Sequence, residues 1–578
     1  MIHSWLHSFR RRLANNDSLI HFSVLGVLAG LGTGLVCIAF RFLIEWPAGQ
    51  WLPNGDPEGF ESLPRWMYFA LPFTGALVLG LIFRTLHQDT LRTGVTHVIT
   101  HLHADDGHLP AKNAVVQFFA GAFALGTGQS GGREGPAVHL GAAGSSVVGQ
   151  ALKLPNNSIR VLVGCGTAAA IAASFNTPIA GVIFAMEVVM MEYSIAGFTP
   201  VILATITATA VTRAVYGAGA IFVIPSVQMS SLWELPYIAL LGLLIGACAA
   251  LFIVIIKLAM RLSARPVLQR MALAGFVTGC CALLVPQILG TGYDTLNALL
   301  SGNIALPILL ALIATKLLAS ALSSGLGMPI GLIGPCLLIG ACIGAVMATL
   351  GASMFPELAS GGSFYVMLGM GAMMGAVLNA PLAALMTLLE LTHNPAIIFP
   401  GMLAITIASI TNSEIFKQRS AHQTVINYLQ LALPTDPNSL ALQRTGVATL
   451  MQRNICITES LASPQQCQLL LTEPYQAYVV SEPESAALRL IYRADLAPYL
   501  EQVLNSDNTK PLALLELCSA SQPITTLHIQ ATLREALATM TKQQTTAVYI
   551  AGYVSGRYPD RGIVTREDIE RHHSTPQK

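Results

Sequence analysis

Charged residues are scarce in this sequence. Asp, Glu, Lys and Arg make up 11% of its 578 residues, whereas about 25% is usual in a soluble domain. The formal net charge is only +1, so the chain has no general electrostatic attraction for nucleic acid. Hydrophobic residues, in contrast, reach 53%. The composition excludes an ordinary soluble protein and a basic nucleic-acid binder.

Cysteine pairs with metal-ligand spacing are also lacking. The ten cysteines are scattered, mostly inside apolar runs, and none forms a C-x-x-C pair. Neither a zinc site nor a disulfide framework is therefore predicted. We interpret these cysteines as small apolar side chains.

The scarcity of charge is uneven along the chain. Between residues 236 and 410 there are about eight charged side chains in roughly 175 residues, and from 417 onward about 28 in roughly 162. Before this boundary apolar runs follow one another, and several reach the ~20 residues that a helix needs to cross a hydrocarbon core. The sequence therefore predicts a polytopic, mainly α membrane protein with a small α/β module after it.

The boundaries follow from this charge pattern. Arg10, Arg11 and Arg12 precede the first apolar run, and this favours a cytosolic N-terminus by the positive-inside rule. The predicted parts are a cytosolic N-terminus, a transmembrane domain, a linker and a soluble module, over residues 1–19, 20–416, 417–446 and 447–573.

An internal repeat divides the membrane part into two related halves. The pattern G-x-x-G-P-x-x-x-x-G occurs at 132–141 and again at 331–340. An N-x-P pattern follows each copy, and in each half a glutamate, Glu187 or Glu390, lies nine residues after the proline. Two patterns that recur in the same order about 200 residues apart indicate a duplication. The halves cover roughly 20–220 and 230–415.

Repeated, broken hydrophobic segments predict a solute site inside the membrane. Irregular backbone is tolerated at that depth only where it is buried in protein or lines a cavity. A helix that starts there presents free amides and the positive end of its dipole, which favour an anion. The residues that build these two helix starts are Gly132, Arg133, Gly135, Pro136, Gly331, Gly334 and Pro335.

Three motifs in order resemble the CLC family of chloride channels and chloride/proton exchangers. They are G-R-E-G-P at 132–136, F-N-T-P-I-A-G at 175–181 and G-L-I-G-P at 331–335. The resemblance covers about 400 residues. It implies a homodimer in the lipid bilayer in which each subunit has its own chloride path, formed by two inverted-topology halves, with no metal, no catalytic residue and no required cofactor.

The resemblance assigns residues to this path. Glu134 matches the gating glutamate, and an ionisable group inside a membrane is by default a functional candidate. The alternative for Glu134 is a structural ion pair with Arg133. Leu332 and Ile333 match positions whose amides bind the central chloride. Thr93 matches a serine that donates its hydroxyl.

The last chloride-binding position departs from the family pattern. The pore-lining tyrosine aligns with Phe416, which has no hydroxyl, and Tyr428 is the less well aligned candidate.

Val188 bears on the mechanism. In proton-exchanging bacterial members of the family two consecutive glutamates end this segment, and the second collects protons from the cytoplasm. Here the pair is Glu187-Val188, so the internal proton acceptor is lost. This favours an uncoupled, voltage- or pH-gated chloride channel, with a chloride/proton antiporter as the alternative. Glu187 and Glu390 are either structural or functional.

The soluble module is itself duplicated. Short strand-like runs at 477–480 and 547–550 are followed by related segments at 491–496 and 564–569. The module resembles a CBS-domain pair, which in other CLC proteins lies in the cytosol. Thr565 and Asp568 fit the family's adenine-nucleotide element T-x-x-D, whereas the first copy has Tyr492 in place of the threonine. Nucleotide binding and a purely structural role both stay open.

An alternative interpretation is an intramembrane serine protease of the rhomboid type. It is based on the G-x-S-x-G pattern around Ser130. A serine nucleophile needs a base within hydrogen-bond reach, and neither His139 nor His393 lies in a recognisable partner motif. We therefore expect no enzyme. The absence of an organellar targeting segment favours a bacterial inner membrane, with both termini cytosolic.

Overall fold

The computed structural model describes residues 9–10, 13–14, 18–193, 195–217, 219, 222, 228–302, 304–354, 360–431, 437–481, 487–504, 511–518, 520–552 and 561–574. Arg11 and Arg12, two of the arginines that favour a cytosolic N-terminus, lie outside the described residues. The chain forms two compact units. The larger, here the membrane unit, comprises Phe22–Ala151 and Arg160–Leu433; the other, the soluble unit, comprises Met1–His21, Leu152–Ile159 and Pro434–Lys578.

The named secondary-structure elements of the membrane unit are all helices in its described residues. Its helices are α1 Leu19–Trp51, α2 Arg65–Arg84, α3 Gly94–Ala104, α4 Ala111–Gly126, α5 Glu134–Ala151, α6 Asn156–Phe175, α7 Pro178–Phe184, α8 Ile195–Tyr216, α9 Leu235–Met260, α10 Val267–Leu284, α11 Tyr293–Leu300, α12 Leu306–Gly325, α13 Ile333–Met354, α14 Gly362–Leu378, α15 Pro381–Thr392, α16 Ile398–Ile410 and α17 Ala421–Tyr428. The first residues of α1 (19–21) and of α6 (156–159) belong to the soluble unit.

Nine helices in the described part of the chain are long and apolar enough to cross a membrane. Shorter apolar helices lie between them, over Pro178–Met190, Gly362–Leu378 and Pro381–Thr392. The first span, α1, has 33 residues and extends well past the apolar run at 21–44. The predicted multi-pass membrane protein is confirmed.

The repeated N-x-P pattern forms the same helix break in both halves. Asn176 and Asn379 have left-handed backbones, with φ of 59° and 54°, and end α6 and α14. Asparagine is one of the few residues that adopts this conformation readily. Pro178 and Pro381 then begin α7 and α15, where a missing amide hydrogen costs nothing.

The last glycine of the repeated decapeptide also has the same role twice. A Cβ on Gly141 would collide with the carbonyl oxygen of Gly166, and one on Gly340 with that of Gly369. Each pair brings two consecutive long helices into backbone contact, α5 with α6 and α13 with α14. Small residues permit this close approach in membrane proteins.

The soluble unit is the predicted α/β module. Its helices are α18 Pro437–Gln443, α19 Pro464–Thr472, α20 Arg493–Leu504, α21 Leu514–Leu517, α22 Leu533–Gln543 and α23 Arg566–Ser574. Its strands are β1 Ile455–Glu459, β2 Leu461–Ala462, β3 Ala477–Ser481, β4 Leu488–Tyr492, β5 Leu512–Ala513, β6 Gln522–His528, β7 Ala547–Ala551 and β8 Gly562–Thr565.

The sheet of this unit repeats one pattern. Six strands lie in the order β1-β3-β4-β6-β7-β8. Each half has a parallel pair followed by an antiparallel one, and Ala477 pairs with Tyr492 just as Ala547 pairs with Thr565. The duplication inferred from the sequence thus has a matching strand register, consistent with a CBS pair.

The turn between α5 and α6 belongs to this unit. The amide of Asn156 donates to the carbonyl of Gln530 (2.9 Å), and the Gln530 amide group donates to the carbonyl of Leu154 (2.8 Å). The side chain of Asn156 also donates to Glu535 (3.0 Å). These bonds satisfy backbone groups near the start of α6 that have no partner within the helix.

The predicted linker over 417–446 contains two helices. Its first part includes α17, which belongs to the membrane unit, and its second includes α18, which belongs to the soluble unit.

Candidate anion pathway between two helix starts

The two G-x-x-G-P motifs contact each other directly. The Gly132 amide donates to the Gly331 carbonyl (2.8 Å), and the Gly331 amide donates to the Gly132 carbonyl (2.7 Å). This is a one-pair antiparallel bridge. Because α5 begins at Glu134 and α13 at Ile333, the bridge brings two helix N-termini together inside the membrane unit.

Only glycine fits at this contact. A Cβ on Gly135 would lie 2.7 Å from the Gly331 Cα, and one on Gly331 would lie 2.7 Å from the Gly135 nitrogen. A Cβ on Gly132 would lie 2.9 Å from the amide of Gly334. The motif glycines therefore permit the contact between the halves, while Pro136 and Pro335 lie in the first turns, where amides lack partners within the helix.

Glu134 is fully buried at this junction. One carboxyl oxygen, Oε1, accepts a short hydrogen bond from the hydroxyl of Tyr293. The other, Oε2, has no hydrogen-bond partner among the described residues and lies beside Gly132 and Gly334. The carboxylate thus occupies the place where the two helix dipoles favour a negative charge.

Arg133 does not pair with Glu134. Its guanidinium donates to Glu45 on α1 (N···O 2.8 Å) and lies 5.0 Å from the centre of the Tyr293 ring. Adjacent residues of a helix point to different sides. The alternative that made Glu134 the structural partner of Arg133 is therefore wrong for this conformation.

Tyr293 is a site residue that was not identified from the sequence. The loop before it is held by Lys316, a buried ammonium that donates to the carbonyls of Ile288 (2.9 Å) and Gly290 (3.2 Å). The Tyr293 amide donates to Glu58 (2.8 Å). Glu58, Lys316 and Glu134 are far from Tyr293 in sequence and share no motif with it. The local sequence feature that pointed to this region is Lys316, an ionisable residue in an apolar run.

Two cavities are lined by the chain neighbours of Glu134. The first, about 500 Å³, is lined by Arg133 and Tyr293 together with charged residues such as Arg41, Glu45 and Glu58. The second, about 270 Å³, is lined by Gly135 and by residues of α3, α13 and α17. Residue 133 lines the first cavity and residue 135 the second, whereas Glu134 lines neither.

The second cavity collects three of the predicted chloride-binding residues. Thr93, Leu332 and Ile333 all line it. Residues from the first turns of α3, α5 and α13, namely Gly94, Gly135 and Ile333, are part of the same lining. Tyr428 also lines it. Phe416 is not in this lining and is 45% exposed.

A backbone turn accounts for the position of Phe416. After α16 the chain forms a π-helical turn over Thr411–Ile415, and Lys417 has a left-handed φ of 52°. This turn ends the helix and redirects the chain before α17. From its spacing along the sequence, Phe416 aligns with the pore-lining tyrosine of the family. In the structure Tyr428, which follows the turn, lines the second cavity and Phe416 does not.

Glu187 and Glu390 each cap the start of a helix in the opposite half of the membrane unit. Glu187 accepts from the amides of Leu382 (3.2 Å) and Ala383 (2.7 Å) at the start of α15. Glu390 accepts from the amides of Ile179 (2.9 Å) and Ala180 (2.7 Å) at the start of α7. A carboxylate at a helix start is favoured by free amides and by the dipole. The structural interpretation of both glutamates has a direct geometric basis. Val188, which follows Glu187 in the chain, is buried.

Ser130 has no basic partner among the contacts of the described residues. Its buried hydroxyl lies 3.0 Å from the hydroxyl of Ser320. A hydroxyl pair supplies no general base for a nucleophile. The protease alternative has no support in this geometry.

The T-x-x-D element of the soluble unit forms a local cap. Asp568 accepts from the Thr565 hydroxyl (2.7 Å) and from the side chain of Gln452 (2.9 Å), and its amide donates back to the Thr565 hydroxyl (3.1 Å). This is a capping box at the start of α23. The element has a structural function in this conformation, and its contact with nucleotide stays a prediction.

Comparisons with known proteins agree with this architecture. Residues 74–413 match the family model described as voltage gated chloride channel. A putative chloride channel protein, ClcB-like, from Ralstonia nicotianae is 30% identical over 395 residues, which cover 66% of this chain and 92% of that protein. The H(+)/Cl(-) exchange transporter ClcA of Vibrio cholerae is 29% identical over 443 residues, 72% of this chain and 94% of ClcA.

Solved structures show the same fold. The crystal structure of a slow cyanobacterial Cl⁻/H⁺ antiporter aligns with a TM-score of 0.62 and 21% identity, covering 71% of this chain and 97% of that one. A eukaryotic CLC transporter aligns with a TM-score of 0.55 and 18% identity, covering 98% of both chains.

Proposed function

This chain belongs to the voltage-gated chloride channel family, and on that premise we propose that it exchanges chloride for protons, with Glu134 as the group that both gates the path and carries the proton. Chloride is the transported substrate, the protein spans the membrane several times, and as a transporter it needs no cofactor and is not an enzyme.

One observation carries the proposal. The chain neighbours of Glu134 line one cavity each, Glu134 itself lines neither, and its carboxylate occupies the anion-favouring junction of α5 and α13. A path closed by an ionisable group in this way does not conduct passively in this conformation. It opens only when that group leaves.

The chemistry of the junction links the two ions. An ionised Glu134 is attracted by the free amides and positive ends of two helices, the same features that bind chloride. A protonated Glu134 is neutral and loses this attraction, so chloride replaces it. Each time the side chain leaves with a proton and returns without one, proton transfer is coupled to chloride movement.

The sequence analysis favoured an uncoupled channel because Val188 replaces a proton acceptor. Two relatives carry different names, a putative chloride channel and an H(+)/Cl(-) exchange transporter, and the second matches more of this chain. The closed position of Glu134 favours the exchanger, and the channel becomes the second candidate. Loss of one acceptor then means that protons reach Glu134 by another route.

For the chloride path beyond Glu134 we propose Thr93, the amides of Leu332 and Ile333, and Tyr428 as the ligands. Tyr428 replaces Phe416 in this assignment because it lines the same cavity as the other three. Its hydroxyl lies 3.4 Å from that of Ser263. By the family resemblance this end of the path is the inner one, so the second cavity faces the cytosol.

Assembly and location are also proposals. A homodimer with one path per subunit in a bacterial inner membrane, with cytosolic termini, follows from the resemblance and from the bacterial relatives. The capping box at Thr565 and Asp568 supports a structural role for the soluble unit, and adenine nucleotide is the ligand that the resemblance predicts.

The test is proton uptake driven by a chloride gradient. The purified protein in liposomes, with membrane voltage clamped by potassium and valinomycin, is expected to move protons against their gradient when chloride flows down its own. Glu134→Gln mimics the protonated carboxyl and is expected to abolish proton movement while chloride still flows. Passive chloride flux without any proton movement in the unmodified protein would establish the channel instead.

A further inference from the structure

We propose that His101, His97 and His139 form a proton path from the second cavity into α5, in place of the acceptor missing at Val188. This inference rests on the proposed exchange function and names the residues that supply its protons.

A buried imidazole pair joins α3 to α5. His97 Nδ1 lies 3.0 Å from His139 Nε2, and the ring centres are 5.0 Å apart. His139 is fully buried, on the helix that begins with Glu134. His97 lines the second cavity. The pair thus connects the water-accessible cavity to the helix of the gating glutamate.

His101 provides the entry. It lies one turn after His97 on α3, the two ring centres are 4.3 Å apart, and it also lines the second cavity. Its Nδ1 lies 2.7 Å from a carboxyl oxygen of Asp105, and its side chain is 22% exposed. An imidazole beside a carboxylate, at the wall of a cavity, is placed to exchange protons with the cavity.

The direction of transfer within the pair is part of the proposal. The amide nitrogen of Asn113 lies 3.5 Å from His97 Nε2, but its two hydrogens are donated to the carbonyls of Asp89 (2.7 Å) and Arg92 (2.9 Å). Because an amide nitrogen has only these two hydrogens, the contact with Asn113 sets no tautomer for His97. In the proposal, His97 holds its proton on Nδ1 and donates it to His139 Nε2.

His139 then holds its own proton on Nδ1. That atom is buried without a hydrogen-bond partner among the described residues, an arrangement that costs free energy. A buried, unpartnered donor on a fully buried helix face calls for an explanation. In the proposal, transfer of this proton toward Glu134 explains the unpartnered donor, whereas packing of the helices alone does not.

The transfer balances as one proton in and one out. A proton from cavity water or His101 binds His97 Nε2, the Nδ1 proton of His97 passes to His139 Nε2, and the Nδ1 proton of His139 leaves toward Glu134. No other bond changes and nothing is oxidised or reduced. The rings rotate back before the next cycle.

The last step leads from His139 to Glu134. His139 lies five positions after Glu134 on α5, which corresponds to about 7.5 Å along the helix axis, with the two side chains about 140° apart around it. In the proposal, water bridges this last step. The ionisable groups around the entry are Arg92, Asp105 and His108, which keep it polar, whereas no aspartate or glutamate lines the second cavity in the described part of the chain.

The test measures protons and chloride separately in liposomes that contain the full chain. His97→Gln and His139→Gln retain hydrogen-bonding side chains that cannot carry a proton. Each is expected to keep chloride flux within about twofold of the unmodified protein and to lower proton flux at least tenfold. Coupling that persists in both variants would overturn the path.

A matched control lies on the same helix. His103 is buried on α3, and its Nε2 lies 3.0 Å from the carbonyl oxygen of Val189. His103→Gln is expected to leave the proton-to-chloride ratio unchanged. If His103→Gln abolishes proton flux and His97→Gln does not, protons enter beside Val188 and the proposed path is wrong.

A second variant separates proton carrying from helix packing. His97→Glu restores a protonatable group, and it is expected to recover part of the proton flux that His97→Gln loses. Equal loss in His97→Glu and His97→Gln would show that the imidazole pair only holds the helices together. If the unmodified protein moves no protons at all, the proposed exchange function fails, a result distinct from failure of the path alone.

Discussion

Tyr293 and Glu134 meet from opposite halves of the repeat. The hydroxyl donates to a carboxyl group that is fully buried. Hydrogen bonds to charged groups contribute about 1.5–3 kcal/mol. Under the proposed function, this bond stabilises the carboxylate at the junction and thereby the closed state of the chloride path.

Removing this bond is expected to speed chloride transport. Tyr293→Phe keeps the ring beside Arg133 and deletes only the donor. A loss of about 1.5 kcal/mol corresponds to roughly tenfold more of the open state, so chloride efflux from liposomes should rise by up to that factor. Unchanged or slower efflux would show that the bond does not restrain Glu134.

The sequence located Glu134 because its signal is local. A glutamate that lies between an arginine and a glycine, two residues before a proline and in an apolar segment, is recognisable without any structure. Tyr293, Lys316 and the pair His97 and His139 were missed as site residues, because each derives its role from a partner far along the chain. Such pairings arise only from the fold.

At the scale of elements, the starts of α5 and α13 fit together through backbone contacts. The motif glycines of one half lie against those of the other, and the bridge between Gly132 and Gly331 links them. The sequence analysis interpreted these glycines as breaks in membrane helices. It did not foresee that the two motifs would bind each other, since similar sequences in a duplication need not be in contact.

A methyl group at this contact is expected to disrupt it. Gly135→Ala introduces a Cβ 2.7 Å from the Gly331 Cα, and overpacking of this kind costs about 1–3 kcal/mol. We expect a lower melting temperature in detergent and a loss of chloride flux. Gly144→Ala is the matched control on α5, because nothing lies within 4 Å of a Cβ there. Equal stability of the two variants would contradict the close backbone contact between Gly135 and Gly331.

At the scale of the whole molecule, two duplications are combined in one chain. The sequence predicted both, because each repeat carries short motifs in a fixed order. The strand register of the soluble unit confirmed its duplication in detail, down to the pairing of Tyr492 and Thr565 with equivalent alanines. The helix that lines the second cavity with Tyr428 was placed in a linker, because a short helix after a turn has no strong hydrophobic pattern.

The soluble unit offers a test of structural against ligand-binding roles. Asp568→Ala removes the capping contacts with Thr565 and Gln452, and loss of a cap costs about 0.5–2 kcal/mol. We expect a lower melting temperature of the full chain, measured without nucleotide. No change in melting temperature, with a loss of ATP-dependent stabilisation, would instead favour a site that acts only on nucleotide.

The most direct test of chloride/proton exchange is the reversal potential of the reconstituted protein in planar bilayers, with equal chloride on both sides and a pH gradient of two units. An uncoupled chloride path reverses at zero voltage under these conditions. We predict a reversal potential displaced from zero, whose sign inverts when the pH gradient is inverted, and that Glu134→Gln returns it to zero. Reversal at zero in the unmodified protein would contradict the exchange mechanism.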